Sequence, residues 1–110
     1  MLEGILGNKN AERVLLHLFH YGESHASGIA KDFGISVTPI VKQLDRFERA
    51  GVLVSKESGR SRIYSFNPKS ALTKPVRELV ELAYEAIPLV ERQRLFQARR
   101  RPRRKGKPVR

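Results

Sequence analysis

Between residues 38 and 62 stand the side-chain types that hold nucleic acid: Thr38, Lys42, Gln43, Arg46, Arg49, Lys56, Arg60 and Arg62. Arg and Lys suit guanine edges or phosphate oxygens, Gln suits adenine, and Thr bonds a phosphate or touches a thymine methyl. Thr38, Lys42, Arg46 and Arg49 recur three or four residues apart, so a helix would present them on one face. On these grounds Thr38, Lys42, Gln43 and Arg46 are expected to read a DNA groove, and Arg49, Lys56, Arg60 and Arg62 to hold phosphates.

Other chemistries find less support. His17 and His20 lie three apart in a helical pattern with His25 nearby, which is a spacing that metal ligands use. Glu12, Glu23 or Asp32 would have to converge on them, and the chain has no cysteine. The histidines are therefore expected to be solvated or packed against helices, with no metal and no cofactor. There is no Gly-rich phosphate loop, nucleophile motif or carboxylate pair in an identifiable cleft, so the chain is not expected to be an enzyme. Glu78, Glu81 and Glu85 read as the polar face of a helix.

The elements that would position the basic residues can be read in turn. Over residues 35–53, Ile40, Leu44 and Phe47 recur at helical spacing and define an apolar face opposite the cations. Thr38-Pro39 fits an N-cap followed by Pro at the first helical position, with Ser36 as rival cap, and Gly51 fits a left-handed stop. Upstream, the segment SHASGIAKDFG begins at Ser24, with Ala26, Ile29, Ala30 and Phe33 as its apolar face and Gly34 as its stop. The two helices meet across the short Gly34-Ile35-Ser36 turn, which forces a steep crossing, the geometry of a helix-turn-helix.

Downstream, VLVSKE and SRIYSF alternate around Ser58-Gly59-Arg60 and predict a β-hairpin. Val52, Val54 and either Ile63 or the Tyr64/Phe66 pair would face the core, while Lys56, Arg60 and Arg62 gather near the tip. Glu23 and Ser24 could add a short strand beside it. From Asn10, NAERVLLHLFHYG reads as a cradling first helix with an Asn cap. Residues 1–7 could form a short leading helix with little to pack on in a monomer.

From Ser27 to Pro68 the sequence resembles winged helix-turn-helix transcriptional regulators of the ArsR-like group, with MarR-like regulators as cousins. The resemblance rests on Leu44, Ala50-Gly51-Val52, Gly59-Arg60-Ser61-Arg62, Tyr64 and Asn67-Pro68. It implies an α+β, mostly helical fold and a sequence-specific double-stranded DNA-binding regulator of transcription. One departure stands out: the group has Ser or Thr, a branched apolar residue, then Ser where this chain has Pro39, Ile40 and Val41, so two DNA-contacting hydroxyls are absent.

Beyond Pro68, the segment starting near Thr73-Lys74-Pro75 is apolar on more than one face, from Val76 to Leu95, and Pro88 should kink or split it. The surplus apolar surface predicts an isologous homodimer. The formal charge is +11, and residues 99–110 hold eight of the 22 basic side chains and no acidic one. A near-neutral body with a cationic tail points to a polyanionic partner. The tail should be disordered, and its Lys105-Gly106-Lys107-Pro108 looks like a weak version of an AT-hook core.

The domain reading is residues 1–72 for the winged helix, 73–98 for the dimerisation helix and 99–110 for the tail. No apolar run is long enough for a membrane span and no signal peptide is evident, so a cytoplasmic location without membrane contact is expected. The alternative is a winged-helix adaptor for protein partners that binds DNA only non-specifically.

Overall fold

In the computed structural model, which describes residues 1–96, the chain begins with a single helical turn, α1 (Glu3–Leu6), and the longer α2 (Lys9–Tyr21). The Asn8 side chain accepts from the Ala11 amide at 2.8 Å, so Asn8 and not Asn10 caps α2. Ala11, Val14, Leu15 and Leu18 are fully buried along this helix, each large one stabilising the fold by about 1.5–3 kcal/mol. Leu2 is also buried, at 3% exposure, so the leading segment does find something to pack on within one chain.

The short strand β1 (Glu23–His25) leads into α3 (Ala26–Phe33) and, across the Gly34 turn, α4 (Thr38–Arg49). Gly34 has φ 69°, a left-handed backbone that glycine takes without a Cβ clash, and it closes α3 by donating to Ala30 and Lys31 carbonyls. The α3 cap is His25, whose ring accepts from the Gly28 amide at 3.1 Å; Ser24, expected to open this segment, lies in the strand. Neither Thr38 nor Ser36 caps α4. Val37 does so through its backbone, its carbonyl receiving the Ile40 and Val41 amides at 3.0 Å each, which puts Pro39 inside the first turn where no amide donor is needed. Ile40, Leu44 and Phe47 bury the inner face of α4, as their spacing predicts.

The hairpin strands β2 (Leu53–Ser58) and β3 (Ser61–Phe66) join β1 in an antiparallel sheet of order β1-β3-β2. Tyr64 pairs with Ser24 on one side and Ser55 on the other, and Leu53 faces Phe66. Paired residues share a face, so Leu53, Tyr64 and Phe66 point inward and Val54, 38% exposed, points out. The strand period settles the choice left open between Ile63 and Tyr64/Phe66, and it reverses the expectation for Val54. Leu53 fills that place instead.

Pro88 divides the C-terminal segment into α5 (Thr73–Ala86) and α6 (Leu89–Phe96). Ile87 is extended, with φ −76° and ψ 128°, as a residue before proline prefers to be. The chain then folds back. Phe96, 1% exposed, packs among His17, His20, Tyr21, Phe33 and Tyr84, and the Tyr21 hydroxyl donates to its carbonyl. Part of the apolar surplus is thus consumed within the chain, while Leu82, Leu89 and Val90 remain exposed at 61%, 60% and 78%. Among the described residues no helix is long and apolar enough to cross a membrane. The basic tail, the AT-hook-like stretch and the 98/99 boundary lie outside the described residues.

Candidate nucleic-acid interface

A buried polar cluster holds the helix-turn-helix on its scaffold. His17 of α2 is fully buried, with Nδ1 2.7 Å from Ser24 Oγ on β1 and Nε2 2.7 Å from Asp32 Oδ2 on α3. The Asp32 carboxylate accepts, so Nε2 carries a proton there, and Ser24 can turn its hydroxyl to suit the other ring nitrogen. One imidazole thus ties three elements together and fixes the position of α3. His20 Nδ1 instead lies 2.7 Å from the Tyr84 hydroxyl of α5, and His25 caps α3, so the three histidines have different hydrogen-bond partners, although His17 and His20 both pack against Tyr21 and Phe96. Among the described residues no three His, Asp or Glu side chains converge to hold a metal ion.

On this mount, α4 turns Thr38, Lys42, Asp45 and Arg49 outward, all exposed and spaced three or four apart. Arg49 Nη2 meets Asp45 Oδ2 at 2.9 Å, which leaves Lys42 as the cation of this face without an ion pair among the described residues. The two other expected groove readers lie elsewhere. Gln43 is 8% exposed, one turn from Phe47 on the buried side, and its Oε1 has no hydrogen-bond partner among the described residues. Its polar type suggested the outer face, but 3.6 residues per turn bring position 43 beside Ile40 and Phe47. Arg46 is exposed on the flank towards α1: its Nη2 donates to the Leu6 carbonyl at 2.9 Å and its guanidinium lies 5.1 Å from the Phe47 ring centre. There it satisfies a carbonyl at the end of α1 that the helix itself cannot.

The opposite flank of α4 meets the hairpin. Ser55 donates to Glu48 at 2.6 Å, and Arg62 reaches both Ser55 Oγ at 3.0 Å and Glu57 at 2.9 Å. Strand alternation puts Arg62, Ser55 and Tyr64 on the face towards α4, whereas Lys56, opposite Ile63, projects from the other face. The structure therefore brings Arg60 and Arg62 together but not Lys56 with them. Between α4, the start of α3 and the hairpin lies a depression of about 320 Å³ lined by Val37, Val41, Ser27, Arg60, Arg62 and Tyr64, among others. Burial first, and then the Glu48 carboxylate, push the Tyr64 hydroxyl above its ordinary pKa, so at neutral pH it keeps its proton as a donor.

Val37 and Val41 are the residues that sequence reasoning passed over. Both are exposed, at 42% and 44%, beside Thr38 at the start of the helix. Their signal was present in the four-residue spacing, which sets them off the Ile40–Leu44–Phe47 stripe, but an apolar type reads by default as core.

No protein-family model and no curated protein matches the sequence. Solved structures do resemble the fold. Reduced HlyU from Vibrio cholerae N16961 superposes with a TM-score of 0.59 at 18% identity, over 76% of this chain and 84% of that one. A mutant of ZitR from Lactococcus lactis gives 0.58 at 18% identity over 83% of this chain, which spans only 61% of ZitR. Mb0332 from Mycobacterium bovis, a homodimeric winged helix-turn-helix DNA-binding domain and possible ArsR-family transcriptional regulator, gives 0.55 at 19% identity over 76% and 75%. These likenesses, with the element order and sheet topology above, establish a winged helix-turn-helix fold.

Proposed function

We propose that this chain is a sequence-specific double-stranded DNA-binding protein that regulates transcription as a homodimer. The observation that carries the reading is the uncovered outer face of α4, with Thr38 and Lys42 at its start and the basic Arg60–Arg62 tip beside it. In a helix-turn-helix the N-terminal residues of the second helix approach base edges, which favours Thr38 and Lys42 as readers. Arg49, Arg60 and Arg62 are suited to phosphates, and Lys56 to a phosphate reached from the far face of the hairpin. Arg46 could reach DNA only from the flank and in exchange for its bond to Leu6, and Gln43 is not among the readers. The likeness to the Mb0332 homodimer and the exposed Leu82, Leu89 and Val90 support pairing of two copies through α5 and α6. Two copies would set their reading helices roughly 34–36 Å apart in successive major grooves, hence on a palindrome.

A gel shift with genomic fragments in the presence of heparin tests this, and it includes the DNA upstream of the chain's own gene. Retention of particular fragments is expected. Uniform loss of all fragments to heparin would favour the adaptor reading, in which DNA is held only by charge.

A further inference from the structure

We propose that Val37 and Val41 read thymine, making A·T recognition at the start of α4 depend on a methyl group. The inference rests on the DNA-binding reading above and sharpens it. Val37 is the cap residue of α4 and Val41 lies one turn on, so the two stand one above the other on the flank facing the hairpin. Both are nearly half exposed, although Ile40 and Leu44 of the same helix are completely buried. The core does not need these valines.

Their surroundings select the occupant. The depression they line carries Arg60 and Arg62, and although Arg62 also pairs with Glu57 at 2.9 Å, no carboxylate stands among its lining residues. A matching partner must therefore bring negative charge and apolar surface to within a few ångströms of each other. The major-groove edge of DNA does so, with phosphates on either side of the C5-methyl that projects from each thymine. The valine side chain offers no donor or acceptor, so the readout at these positions cannot be a side-chain hydrogen bond.

The test uses the full chain and a genomic duplex retained in the heparin-resistant gel shift. Each thymine of the protected region is replaced in turn by deoxyuridine, which removes the methyl and leaves base pairing intact. At one or two positions per half-site affinity should fall roughly fourfold, the equivalent of about 0.8 kcal/mol for one buried methyl-sized group. The Val41→Ala chain should be indifferent to at least one of those replacements, with an unchanged melting temperature because the side chain is outside the core. Specific binding that no replacement weakens, or a Val41→Ala chain as sensitive as the parent, would overturn the inference. Absence of any sequence-selective binding would instead overturn the functional reading on which it stands.

Discussion

Replacing Asp32 by alanine strands the buried imidazole of His17, and the structure allows the cost to be worked out. The two side chains are 0% and 3% exposed and meet at 2.7 Å, so the variant leaves a buried ring N–H without its acceptor. Leaving that buried ring N–H without its acceptor should cost about 1–3 kcal/mol, and more if the lost acceptor is ionised, against a total stability of about 5–15 kcal/mol for a domain. Asp32→Asn keeps an acceptor but loses its charge, and should cost about half as much, since hydrogen bonds to ionised groups are roughly twice as strong as neutral ones. Ser24→Ala removes the neutral partner of the other ring nitrogen and should cost about 1–3 kcal/mol. Urea denaturation of the three variants measures these losses, at one protein concentration because self-association also shifts apparent stability. A loss for Asp32→Ala of only about 0–1 kcal/mol, the value of a solvent-exposed pair, would refute the claim that this cluster fixes α3 to its scaffold.

The other expectations concern single elements. Leu44→Ala should destabilise the fold by roughly 2–5 kcal/mol, seen as a lowered melting temperature, because the residue is completely buried; an unchanged melting temperature with lost DNA binding would contradict its assignment to the core. Arg46→Ala should speed amide exchange in residues 2–7 by releasing the end of α1, and should weaken DNA binding less than Lys42→Ala does; the reverse order would make Arg46 the principal reader. Leu82→Glu with Val90→Glu should leave the fold intact and convert a dimer to a monomer in sedimentation, whereas a parent chain already monomeric at micromolar concentration would remove the dimer from the account. Ending the chain at Gln97 deletes eight cations and should flatten the slope of log affinity against log salt by about 0.9 for each phosphate no longer neutralised, without altering site preference; an unchanged slope would show that the tail does not touch DNA.

Local signals carried most of the architecture. The Ile40–Leu44–Phe47 stripe, the glycines at 34 and 51, and Pro88 each act within one or two turns, so the helix-turn-helix, the hairpin and the divided C-terminal helix were legible in the sequence. What could not be read was set by distant partners. Asn8 and Asn10 are equally good caps in isolation, and only the packing of α2 decides between them. Val54 and Leu53 compete for the inward face, and pairing of Leu53 with Phe66 settles the parity. In the candidate interface, Gln43 was placed by its polarity and is buried by its angle on the helix, while Arg46 meets a carbonyl 40 residues away in sequence. Lys56 and Arg62 look adjacent on paper, yet strand alternation sends them to opposite faces.

The central claim is that a pair of these chains reads a DNA sequence through the outer face of α4. The most direct measurement is selection of binding sites by the full chain from a pool of random duplexes at physiological salt, followed by sequencing of the bound fraction. Enrichment of a palindrome with half-sites centred about 10–10.5 base pairs apart, lost with Lys42→Ala, is the predicted result. A bound fraction whose sequences match the starting pool would contradict it.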